Sequence, residues 1–375
     1  YFHYQLEAPA LNFYAIVSAR YAVRRERWQG KDLEIYYQPG HEYNLARMQR
    51  ALRQSLAYYE QQLGPYPLHQ ARIIEFPRYR EFAQAFPGTM PYSEAVGFIT
   101  QLDAEDESLD NVFRVVSHEM AHQWWGHQVA GAPVKGAAFL TESLAHYFAT
   151  VLLEREYGAK QVRRVRQYDL DRYLRGRSRE TRQEEPLLRT KTQPYIYYEK
   201  GAFVLYSLRS YLGEQAFHGA LGKFIADHKG KGAPYPIADD LYACLRRATP
   251  DSLHYLLDDH LKRITLYNNQ VKEVAYKRRP DGRYQVFLQL ESHKYHADSL
   301  GKGTEVPLRD YVDVAVYGAK DQVLYQRRVR LDNNRQEVQL TVAAPPLKAA
   351  IDPHLLLIDR QQDDNSKASV LIGSK

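Results

Sequence analysis

The sequence predicts an α+β chain in which strands and helices are segregated along its length. Three observations carry this. The opening is strand-like, a long middle stretch has helical spacing, and from about residue 267 short β-branched runs alternate with turns. At 375 residues and 44% hydrophobic, the chain can bury a substantial core, which excludes wholesale disorder. A formal charge of +6 is a mild excess that does not imply nucleic acid. The single cysteine, Cys244, excludes an internal disulfide and a cysteine-based zinc ribbon. No apolar run approaches the roughly 20 residues of a membrane span. The chain opens at Tyr1 without a signal pattern and reads as a piece of a longer protein.

Residues 1–40 read as strands, with Gly30 marking a turn and Pro39-Gly40 closing the segment. From Glu42 to Leu63, Leu45, Met48, Leu52, Leu56 and Tyr59 recur at helical spacing, ended by Gly64-Pro65. "ARIIEF" and "AVGFIT" read as strands. Asp110 is a candidate N-cap for a helix running to about Trp125, with Gly126 as its stop. A second helix is expected from about Thr141 to Gly158, and helical pattern continues to about residue 263. Residues 267–360 read as a β-sandwich, and 361–375 as a frayed polar tail.

The stretch "VSHEMAHQWWGH" carries the chemistry. Residues four apart on a helix differ by about 40° around its axis, so His118 and His122 project from one face and can grip one metal ion. Glu119 lies about 100° round, off the ligand line but near enough to act as general base. A catalytic zinc needs a third protein ligand and one open position. Glu142, at the start of the next helix, is the candidate. Paired histidines also occur by chance on amphipathic helices, so the surroundings must decide.

Here the sequence resembles the gluzincin aminopeptidases, the zinc family that includes aminopeptidase N and leukotriene hydrolase. The resemblance rests on "HEMAHQWWG" (with Trp124 and Gly126), on Glu142, on "YYEKGA" from Tyr197 to Ala202, and on "SEAVGFIT" from Ser93 to Thr100. It implies a thermolysin-like catalytic domain over residues 41–265, preceded in 1–40 by the end of a truncated N-terminal β domain. It implies zinc held by His118, His122 and Glu142, peptide substrates, Glu119 as base and Tyr198 as donor to the developing oxyanion. Glu94 would bind the substrate's free α-ammonium, and "GFIT" would be an edge strand that pairs with the peptide. His127 and His146 are expected to pack rather than ligate. Three features depart from the family: nineteen residues separate His122 from Glu142, one more than is usual, Thr141 precedes Glu142 where the family has asparagine, and Ala95 likewise stands where the family has asparagine.

The reading is therefore a zinc-dependent aminopeptidase. An endopeptidase or other hydrolase on the same scaffold, or a non-catalytic peptide-binding module, are the alternatives. Between Arg163 and Lys191, nine arginines and one lysine face five acids. This stretch reads as a solvated helix face, an anionic-partner footprint or a cleft lining, in that order of weight before the last. No nucleic acid is expected. Bacterial relatives fuse such a domain to membrane-permease segments, so the chain is compatible with the soluble extracytoplasmic part of a membrane-anchored protein.

Overall fold

Burial of one face of two adjoining runs builds the first sheet. β1 (Ala22–Trp28) and β2 (Lys31–Tyr37) form an antiparallel hairpin whose turn residues Gln29 and Gly30 both have positive φ, 44° and 78°. Leu33 and Ile35 on β2 are fully buried. The chain then crosses through α1 (Leu45–Leu63) to β3 (Gln70–Phe76), parallel to β2, and β3 pairs in parallel with β4 (Thr89–Ser93). The predicted stripe of α1, Leu45 to Tyr59, is its buried face. Across the sheet, Arg25, Glu34 and Arg72 are register partners and bond in a row, Arg25 Nε to Glu34 Oε1 at 3.1 Å and Arg72 Nε to Glu34 Oε2 at 2.6 Å.

The remaining helices are α2 (Asn111–Ala121), α3 (Leu144–Ser178), α4 (Gly201–Leu212), α5 (Glu214–His228), α6 (Ala238–Ala248) and the short α7 (His254–Leu257). Asp110 caps α2 by accepting from Phe113 N at 2.9 Å. Gly158, with φ 81° and ψ −179°, interrupts α3 where a helix end was predicted. This computed structural model describes residues 3, 5, 10–102 and 109–372. It clusters into one unit of Tyr1–Tyr173 with Leu187–Leu261, and a second of Leu174–Pro186 with Lys262–Lys375. Among the described residues no helix is long and apolar enough to cross a membrane.

The second unit is a β-sandwich. One sheet has the order β10 (Arg335–Val342), β6 (Tyr284–Ala297), β5 (Ile264–Arg278), β13 (Val370–Leu371), with β7 (Gly303–Val306) also on β6. The other runs β12 (Ser366–Ala368), β11 (Lys348–Ile351), β8 (Asp310–Tyr317), β9 (Val323–Leu331). Val271, Leu288 and Leu290 from the first sheet share a core with Val312, Val314 and Ile351 from the second. A predicted Pro-Asp-Gly turn joins β5 to β6, with Gly282 at φ 81°.

Four expectations need correction. Residues 10–21 form no strand, and Tyr14 and Ile16 are 75% and 93% exposed. β1 and β2 instead belong to the same sheet as β3 and β4, so no boundary falls at residue 40, because buried Leu33 and Ile35 need α1 and β3 to cover them. Residues 1, 2, 4 and 6–9 of the predicted strand region lie outside the described residues. The tail is not frayed throughout: β12 and β13 each find a sheet edge, and Asn365 bonds buried Asp359. Finally, "AVGFIT" is not a strand. Glu94–Phe98 is a π-helical turn, held by Asn44 Nδ2 bonding Gly97 O and Thr100 O, both at 2.7 Å. The outer edge of β4 is already taken by residues 82–84, through Gln84 N to Pro91 O at 3.1 Å and Ser93 N to Phe82 O at 3.0 Å.

Candidate metal centre and active site

The site begins on α2. Its buried face packs under α1, where Tyr59 donates to Ser117 O at 3.0 Å, and one turn beyond, Trp124 donates from Nε1 to Gly64 O at 2.9 Å. α2 ends at Ala121, earlier than predicted, and His122 occupies its C-cap with near-helical angles (φ −61°, ψ −18°). His118 and His122 therefore still share a face. The chain turns at Gly126 (φ 130°), whose N–H bonds Val129 O at 3.1 Å.

After the loop that follows, Glu142 arrives on a π-helical turn, Phe139–Ser143, that leads into α3. The three candidate ligand atoms form a near-equilateral triangle. His118 Nε2 and His122 Nε2 are 3.1 Å apart, and Glu142 Oε2 lies 3.3 Å from the first and 3.5 Å from the second. A tetrahedral zinc with bonds of about 2.0–2.1 Å places any two of its ligand atoms about 3.3–3.4 Å apart, so these donors fit that ion in chemistry and in spacing. His122 Nδ1 is 3.0 Å from Trp125 O, a contact that turns Nε2 toward the triangle.

The electrostatics agree with a cation at this point. Burial alone would raise the Glu142 carboxyl, but the two imidazoles outweigh it and hold that group well below the usual range. Burial lowers His118 to about 4, leaving it neutral as a ligand must be. Burial also lowers His122, and the Glu142 carboxylate more than reverses this, to about 9. Glu142 and the two imidazoles thus favour each other's charged forms, as an anionic donor set facing a cation would.

Glu119 is 6% exposed, and burial pushes its carboxyl up to about 7, His122 opposing and Glu142 reinforcing. Tyr198 stands on a second π-helical turn, Tyr195–Lys200. Its ring centroid lies 5.8 Å from that of His118, and burial together with the Glu142 carboxylate raises its hydroxyl pKa. Of its neighbours, Tyr195 stacks on Tyr173 at 6.0 Å and Tyr197 lies against Tyr198 at 4.7 Å. The two π turns touch closely: Ser143 Oγ donates to Tyr197 O at 2.5 Å, and a Cβ on Gly201 would stand 2.2 Å from Ser143 Oγ.

Glu94 is not part of this triangle. It opens the π turn after β4, accepts from Arg78 N at 3.2 Å, and groups with His41 and Glu75. Two residues earlier, the hydroxyl of fully buried Tyr92 has its pKa raised by burial and by the Glu119 charge.

Sequence reasoning missed a buried network behind the site. Arg114 Nη2 meets both His146 Nε2 and Asp169 Oδ1 (the latter at 3.0 Å), and the His146 ring lies 5.7 Å from those of His118 and Tyr198. The signal was present as the buried series Val162, Val165, Arg166, Asp169, Leu170 and Tyr173, masked by the surrounding charges. In that arginine-rich stretch Arg166 is 1% exposed between the rings of Phe203 and Tyr206, and Arg172 pairs with Glu199 at 2.7 Å. His127 Nε2 is 3.1 Å from Ala85 O and burial lowers its pKa to about 4.

Comparison with known proteins adds a second line of observation. The Peptidase family M1 domain profile matches residues 43–260. Aminopeptidase M1 of Arabidopsis thaliana is 26% identical over 210 residues, 53% of this chain and 23% of that protein. Aminopeptidase N of Lactococcus lactis subsp. cremoris is 24% identical over 185 residues, 47% of this chain and 22% of that one. The chain thus spans about a quarter of the length of these curated relatives. Among solved structures, Legionella pneumophila aminopeptidase A in complex with aspartic acid is similar at a TM-score of 0.60 and 16% identity, over 91% of this chain and 38% of that one. That likeness is one of fold.

Proposed function

The chain belongs to peptidase family M1, and from that premise we propose that it is a zinc-dependent aminopeptidase that hydrolyses the first peptide bond of peptides. The observation that carries the proposal is the triangle of His118, His122 and Glu142 with Glu119 buried beside it. When bound there, zinc supplies Lewis acidity and makes water nucleophilic near neutral pH. Glu119 takes a proton from the attacking water at a carboxylate oxygen and returns one to the departing amine nitrogen. A carboxyl raised toward 7 by burial is suited to both transfers. Tyr198 donates its hydroxyl to the oxyanion that grows on the scissile carbonyl; its raised pKa keeps that proton in place. Glu94 accepts from the substrate's α-ammonium, which restricts cleavage to the first residue.

The test is paired. Metal analysis of the purified chain should find zinc that His122→Ala removes, and Glu119→Gln should retain zinc while losing about 10²–10⁴-fold in hydrolysis of an aminoacyl-anilide. An N-acetylated analogue should be a poor substrate. Equal rates on the free and blocked substrates would overturn the exopeptidase assignment, and a zinc-free active chain would overturn the whole reading.

A further inference from the structure

His41, Glu75 and Glu94 form a second group of three metal-ligating side chains, with their ligand atoms all within 4.8 Å of one another. They come from three separate places: the loop after β2, the end of β3 and the turn after β4. Glu75 is 1% exposed. His41 Nδ1 bonds Glu75 Oε1, and backbone amides orient the carboxylates, Gln38 N on Glu75 Oε2 at 2.6 Å and Arg78 N on Glu94 Oε1 at 3.2 Å. Among the described residues neither carboxylate pairs with a lysine or arginine side chain; His41 alone among the side chains can bring positive charge to Glu75. Two carboxylates within 4.8 Å of each other, one of them fully buried, repel when both are ionised, and positive charge placed between them relieves that repulsion.

We propose that His41, Glu75 and Glu94 bind a second divalent cation, and that this ion inhibits. One imidazole and two carboxylates suit zinc or manganese. A divalent ion balances the two carboxylate charges with His41 neutral, and the two amide bonds supply the outer support that metal ligands ordinarily have. The inhibitory part rests on the assignment of Glu94 to the substrate's α-ammonium: an ion held by Glu94 occupies the carboxylate that the ammonium needs. Metal beyond the first equivalent is therefore competitive with peptide.

Equilibrium dialysis of the full chain against zinc, read by mass spectrometry, tests the site without recourse to activity. The wild type should hold two zinc ions per chain, and His41→Gln one, with a weakening at the lost site of at least about 10-fold, the lower end of what losing even an outer partner costs. Glutamine keeps a donor for Glu75, so the fold should survive, and circular dichroism checks that it does. His122→Ala should also hold one, and the double variant none. A single zinc in the wild type, or an unchanged count in His41→Gln, overturns the second site. Loss of zinc in His41→Gln but not in His122→Ala would uphold it and instead overturn the catalytic assignment. In steady-state assays, excess zinc should raise KM and leave kcat unchanged in the wild type, and His41→Gln should abolish that rise. Pure kcat inhibition would overturn the overlap with the ammonium.

Discussion

Replacing Gly201 by alanine probes how the site is held. Gly201 has ordinary helical angles, φ −59° and ψ −54°, so alanine meets no backbone penalty there. What it meets is Ser143, with Cβ to Cβ at 2.5 Å and Cβ to Cα at 3.3 Å. The Ser143 hydroxyl can rotate away but its Cβ cannot. Reaching ordinary contact at 3.4 Å means opening the two turns by about 0.9 Å (3.4 − 2.5). Such overpacking costs about 1–3 kcal/mol, and exchanging glycine for alanine in a helix returns about 1, leaving a net loss of roughly 0–2 kcal/mol. The effect on chemistry should be larger, because a misplacement of about 1 Å can cost about 100-fold. Gly201→Ala should therefore show a small drop in Tm and a fall in kcat/KM of about 10–100-fold on an aminoacyl-anilide. If the Tyr195–Lys200 turn yields, zinc is retained and kcat falls; if the Phe139–Ser143 turn yields, zinc affinity falls as Glu142 moves. Ser143→Gly in the same chain removes the clashing atoms and should restore most of the rate. Wild-type kcat/KM and zinc affinity in the single variant, or no rescue in the double, would refute the argument that this close approach sets the geometry.

Other outcomes follow from the same structure. Tyr198→Phe should lower kcat by about 100–1,000-fold with little change in zinc content, since it removes the hydroxyl proposed to donate to the oxyanion; stopped assays with metal analysis check this. Asp110→Ala removes the α2 cap, together with bonds from Tyr157 (2.5 Å) and Arg47 (3.0 Å), and should destabilise by at least about 1 kcal/mol in urea. Burial would raise Glu34, but Arg72 and Arg25 outweigh it and lower its pKa below the usual 4.5. The folded chain then binds fewer protons at Glu34 than the unfolded one as pH falls below about 4.5, so stability present above that pH is lost on acidification. Glu34→Gln should flatten the decline of Tm between about pH 4.5 and 3 relative to the wild type.

Much of the site could be read from the sequence because its parts are local. The spacing of His118 and His122 sets their shared face whether α2 ends at Ala121 or later, since His122 keeps near-helical angles at the cap. Asp110 and the apolar stripe of α1 were legible for the same reason. The strand expected at "AVGFIT" was not, because its apolar residues suit a strand equally well, and what folds them into a turn is Asn44, some fifty positions away. The polar tail was misread in the same way: its short strands have no signal of their own and exist by pairing with β11 and β5.

Sequence alone determined that His118, Glu119 and His122 stand together on one short stretch of helix, and the order of helical and β regions, because these depend on residue chemistry and on spacings within a few turns of backbone. Tertiary structure alone decided that Glu142 Oε2 closes a triangle with two imidazoles, that Tyr198 rather than Tyr195 stands beside His118, and that His41, Glu75 and Glu94 converge. Each of those is a meeting of side chains far apart in the chain. Its geometry is set by how closely packed elements can approach, as Gly201 against Ser143 illustrates, and no local spacing encodes that distance.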